Sequence, residues 1–137
     1  MFKQIALSEQ DWSCKLFPGD MVFSTNPIVS CCLIVVAFQK GIAYAQHCRA
    51  SSLKEELNNI FFCGEPKEVI MVSGPASEYQ LDQARWLRQK DAYSKIPFMY
   101  YASKTNEFCT PVVSYSMEGC LVLHAKEKYD LVSFNLQ

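Results

Sequence analysis

Seven cysteines and two histidines are the residues of this 137-residue chain best suited to nucleophilic chemistry. A thiol is mostly protonated at neutral pH, so a nucleophilic cysteine needs a base or cation beside it to supply thiolate. His47 is the candidate base. It closes a predicted strand sixteen positions after Cys31, and a chain reversal near Lys40 would fold it back towards that cysteine. An imidazole in this role also needs a third group to fix its orientation, and the hydroxyl of Thr25, six residues before Cys31, can serve. Backbone N–H groups over Ser30 to Cys32 can form an oxyanion hole. Cys32 competes with Cys31 for His47, because adjacent strand residues point to opposite faces.

Other chemistries fit less well. Cys31, Cys32, His47 and Cys48 come as two adjacent pairs, without the Cys-x-x-Cys spacing that lets two thiolates reach one zinc ion. The run Cys48 to Lys54 resembles a cysteine-phosphatase phosphate loop, but lysine stands where a bidentate arginine is required. The plain alternative for Cys31 and Cys32 is burial, since cysteine is among the most buried residue types and both lie in an apolar run. His124 reads as a satisfied strand histidine.

The elements that would position these residues follow from the apolar pattern. Asp20 to Ser24, Ile28 to Phe38 and Ile42 to Gln46 read as strands, the last two joined by the turn Gln39-Lys40-Gly41. Ser52 to Glu55 has capping-box spacing, and Leu53, Leu57, Ile60 and Phe61 share one face of a predicted helix over 52–62. Glu68 to Val72 is a short apolar strand of the kind buried on both faces. Ser77 to Gln80 opens a second predicted helix, with Leu81, Ala84 and Leu87 inward. Phe98 to Ala102, Pro111 to Tyr115, Cys120 to His124 and Leu131 to Phe134 complete the strands, with Met117-Glu118-Gly119 as a hairpin turn. The expected fold class is α+β: one mixed, largely antiparallel sheet with two main helices, forming a single domain over 1–137.

Half of the residues are apolar, enough for a core without a metal or covalent staple. The cysteine count is odd, and the opening MFKQIALSEQDW is too polar for a secretory signal, so reduced thiols and a cytoplasmic setting are expected. Export by a non-classical route stays open. The run Ile28 to Phe38 is too short to cross a bilayer as a helix, so no membrane partner is expected. A net charge of -1 offers no basic field for nucleic acid.

The stretch STNPIVSCCLIVVAFQKGIAYAQH resembles the signature of the CheD family of chemoreceptor glutamine deamidases, which share a catalytic core with the necrotizing-factor deamidase toxins. In that family a threonine, a Ser-Cys leading into an apolar strand, a glycine turn and a histidine form the catalytic set. The resemblance implies Cys31 as nucleophile, His47 as base and Thr25 as orienting residue. EVIMVSGPAS, LDQARWLRQK and PVVSYSMEGCLVLH sit where the family has a strand ending in Gly-Gly-Ala, its second long helix and its closing hairpin. Val29 departs from the glycine before Ser-Cys, Cys48-Arg49-Ala50 from the apolar stretch after the histidine, and Ser73-Gly74-Pro75 from the paired glycines. These departures bear on substrate recognition more than on chemistry. The implied function is a cysteine-dependent, cofactor-free conversion of protein glutamine to glutamate through a thioester. The alternative is a non-catalytic protein-binding module on the same fold.

Overall fold

The computed structural model describes residues 3–7, 13–24, 32–48, 64–75, 78–104 and 110–133. Its strands are β1 (Gln4–Leu7), β2 (Ser13–Leu16), β3 (Met21–Ser24), β4 (Cys32–Phe38), β5 (Ala43–Cys48), β6 (Pro66–Ser73), β7 (Phe98–Ser103), β8 (Val112–Tyr115), β9 (Leu121–Leu123) and β10 (Tyr129–Leu131). Helix α1 spans Glu78–Arg88, and a 3₁₀ turn covers Lys126–Lys128.

β4 explains the architecture. All seven of its residues are buried, and a strand apolar on both faces must be covered on both. Leu33, Val35 and Ala37 point into one core, shared with Val22, Val113, Tyr115 and Leu123 from a second sheet. Cys32, Ile34, Val36 and Phe38 point into another, beneath Ala84 and Leu87 of α1. The result is a mixed α+β arrangement in three layers: helix, a six-stranded sheet ordered β10-β7-β6-β4-β5-β2, and a four-stranded sheet ordered β1-β3-β8-β9.

Local chemistry sets the connections. Gly41 adopts φ +87, a left-handed conformation that glycine takes without steric cost, and its N–H donates to Phe38 O while Phe38 N–H donates to Ile42 O. β4 and β5 therefore form the expected hairpin. β6 and β7 run parallel, which requires a crossover, and α1 lies within it. Glu78 in the first turn and Arg85 and Arg88 in the last suit the helix dipole. Lys67 donates to Gly119 O at 3.0 Å, and Leu121 N–H donates to the Glu68 carboxylate, tying the β8–β9 hairpin to β6.

Two expectations need correction. The strands do not form one sheet, because β1, β3, β8 and β9 pair separately and stack on the larger sheet. β1 and β2 were not foreseen: each is four residues long and offers only alternate side chains to the core, Ile5 and Leu7 in one, Cys14 and Leu16 in the other. The last strand is Tyr129–Leu131 and meets the strand expected over Leu131 to Phe134 only at Leu131; Val132 and Ser133 are not in a strand, and Phe134 lies outside the described residues. The helix expected over 52–62 lies outside the described residues, so among those α1 is the one α-helix.

Candidate functional site

β4 and β5 pair antiparallel with Leu33 opposite His47 and Cys32 opposite Cys48. Phe38 N–H bonds towards β5 and Gln39 N–H towards β6. Carried along the unbroken register, this alternation makes Cys32 and Cys48 a hydrogen-bonded pair, and Leu33 and His47 a non-hydrogen-bonded pair with closer side chains. Directly opposed residues share a face. His47 thus points with Leu33, Ala43 and Ala45 between the sheets, while Cys32 and Cys48 point towards the helix.

The small sheet supplies the other half of the site. β3 buries alternate residues, Val22 and then Ser24. Ser24 is the last residue of that strand, and its hydroxyl lies 3.5 Å from Nδ1 of His47. This is a long hydrogen bond, at the outer limit for such a pair. Both side chains are enclosed, Ser24 at 3 % and His47 at 1 % exposure. If Nδ1 carries the proton and donates it to Ser24 Oγ, Nε2 presents its lone pair as the basic nitrogen.

Of the residues singled out from sequence, Thr25, Ser30 and Cys31 lie outside the described residues. Their segment leaves β3 at Ser24, which touches His47, and enters β4 at Cys32, one residue before the cross-strand partner of His47. Cys32 is 2 % exposed, on the face away from His47, and its ladder position commits its N–H to Cys48. Ser24 is a residue that sequence reasoning missed. The available signal was a hydroxyl ending an apolar strand, directly before the threonine chosen for the same task.

The helix side of the same sheet end carries a second polar group. Ser73, opposite Cys32 across β4–β6, donates or accepts at 2.7 Å with the Tyr100 hydroxyl, and its Oγ also lies 2.8 Å from Gly74 O. Burial pushes the Tyr100 phenol up to about 12; the Ser73 hydrogen bond pulls the other way and the neighbouring Cys32 adds to the rise. Tyr100 is therefore a neutral hydrogen-bonding group at physiological pH. Burial, helped by Asp20, likewise pushes the Cys14 thiol up to about 11, which makes it a poor nucleophile.

Cys32, His47 and Cys48 are split by the sheet, so these three do not converge on a single ion. His124 sits just beyond β9, exposed, with Nε2 hydrogen-bonded to Ser114 Oγ. No helix of the described residues is long and apolar enough to cross a membrane. Compared with known proteins, the chain matches no protein-family model and no curated sequence.

Proposed function

We propose that this chain is a CheD-like, cysteine-dependent deamidase that converts glutamine side chains of a protein substrate to glutamate. One observation carries the reading: both ends of the segment bearing Thr25, Ser30 and Cys31 are tied to His47, through Ser24 at one end and the Leu33 pairing at the other. Peptide geometry keeps the α-carbon of Cys31 about 3.8 Å from that of Cys32. The described chain on either side of that segment therefore starts beside His47, which is what supports Cys31 as its partner in this reading.

In this reading His47 takes the thiol proton of Cys31, and the thiolate attacks the carboxamide carbon of glutamine. The amide of Ser30 is the candidate oxyanion donor, since that of Cys32 belongs to the ladder. The tetrahedral intermediate collapses to a thioester, the imidazolium protonates the departing ammonia, and water, deprotonated by His47, hydrolyses the thioester. The C–S bond then breaks, releasing glutamate and regenerating the thiol. Ser24, with Thr25 beside it, holds the ring. No cofactor is required by this sequence of steps, and a cytoplasmic setting suits the reduced thiol.

A second reading, a non-catalytic protein-binding module on the same fold, is favoured by the depth of His47, which is 1 % exposed. A quantitative proteomic survey separates the two. Cell protein incubated with the wild-type chain should gain glutamine-to-glutamate conversions that are missing with Cys31→Ala. Conversions that persist in Cys31→Ala, or none with the wild type, would remove the deamidase.

A further inference from the structure

Cys32 and Cys48 face each other across β4–β5, both within the core under α1, and the mechanism above uses neither thiol. Both are reduced, at 2 % and 0 % exposure. A hydrogen-bonded antiparallel pair sets its α-carbons about 5.5 Å apart, inside the span of roughly 4.4–6.8 Å that a disulfide accepts. We infer that Cys32 and Cys48 are a redox pair that closes into a cross-strand disulfide and, on closing, displaces His47.

The chemistry requires a two-electron oxidant small enough to reach an enclosed thiol, and a hydroperoxide is of that class. One cysteine, as thiolate, attacks the O–O bond, giving a sulfenic acid and releasing water or an alcohol. The second thiolate then attacks the sulfenic sulfur, forming the S–S bond and expelling hydroxide, which takes up a proton as water. Two thiols are oxidised and one peroxide is reduced.

The displacement follows from the ladder. β-Carbons of a wide pair stand near 5.5 Å, whereas a disulfide holds them at about 3.8 Å, so one strand must move. β4 is held on its other side at this level, because Cys32 pairs with Ser73, which is itself bonded to Tyr100. His47 adjoins Cys48 in the chain and stands opposite Leu33, which adjoins Cys32. Drawing the strands together at Cys32 and Cys48 therefore moves His47 relative to β4, whichever strand gives. A bond closed under such strain is also readily reduced, as a reversible device needs.

The test does not depend on any deamidase activity. Folded protein is treated with hydrogen peroxide, quenched with an alkylating agent, digested and mapped without reductant. The expected product is a peptide pair joining Cys32 to Cys48, lost on reduction, retained in Cys31→Ser and absent in Cys32→Ser and Cys48→Ser. A link that persists in Cys32→Ser, or recovery of Cys32 and Cys48 as alkylated thiols after peroxide, overturns the pair. Ring signals of the two histidines, read by nitrogen-15 NMR, test the coupling. His47 should shift on oxidation and return on reduction, with His124 unchanged, and an unmoved His47 in a linked protein overturns the displacement.

Discussion

Ser24 and His47 come from different sheets, and the hydroxyl of the first lies 3.5 Å from Nδ1 of the second. The contact bridges the two layers at the end where β3 and β5 terminate and β4 begins. It gives the imidazole a defined neighbour on one nitrogen, as an orienting group for a catalytic base would.

Ser24→Ala removes that neighbour. A single neutral hydrogen bond contributes about 1 kcal/mol, so stability should fall by about that amount in chemical denaturation. Any thiol activation that depends on His47 should drop about fivefold, the same free energy expressed as a rate. A Thr replacement, which keeps the hydroxyl, should restore most of both.

If His47 activates Cys31, one thiol should react with iodoacetamide well below the ordinary cysteine pKa of about 8.5. An imidazolium nearby favours thiolate, so the apparent pKa moves down and reactivity persists as pH falls. His47→Ala should return that thiol to ordinary behaviour. Rate measurements from pH 5 to 9, with peptide mapping of the labelled site, check this, and an unchanged profile in His47→Ala would remove the base.

Tyr100 makes the fold sensitive to alkali. Its phenol is raised from the ordinary tyrosine value of about 10 to about 12 by burial, so the folded state holds the neutral form more tightly than the unfolded chain does. That contribution is complete below the unfolded pKa near 10 and is lost as pH rises through the folded value near 12. Stability followed against pH from 8 to 12 should therefore decline, and more steeply in the wild type than in Tyr100→Phe. At neutral pH the same substitution should cost about 1 kcal/mol, since Ser73 keeps its contact to Gly74 O.

Leu33 is 0 % exposed between the sheets and stands opposite His47. Leu33→Ala should cost about 2–5 kcal/mol by leaving a cavity. Val122→Ala, 45 % exposed on the outer face of the small sheet, should change stability by only about 0.5 kcal/mol. Denaturant midpoints for the two variants check the contrast, and equal costs would contradict the layering.

The hairpin of β4 and β5 was legible because its signal is local and strong: an unbroken apolar strand, a glycine turn, then a second strand. β6, α1, β7, β8 and β9 were legible for similar reasons, through apolar runs, a capping box and a hairpin turn. β1 and β2 were not, since an edge strand of four residues with polar side chains on one face looks like a loop. The split into two sheets was equally hidden. Strand patterning records which residues are buried and says nothing of which strand pairs with which.

The same division runs through the candidate site. Residue types and spacing alone singled out His47, Thr25 and the Cys31-Cys32 pair, because thiol chemistry needs a base and only two histidines exist to provide one. Register and layering decided the rest: that His47 opposes Leu33, that Cys32 turns to the other face, and that the described hydroxyl at Nδ1 belongs to Ser24. The alternation of a strand follows from its backbone and can be read along one chain, whereas the contact of Ser24 with His47 exists only once two sheets have stacked.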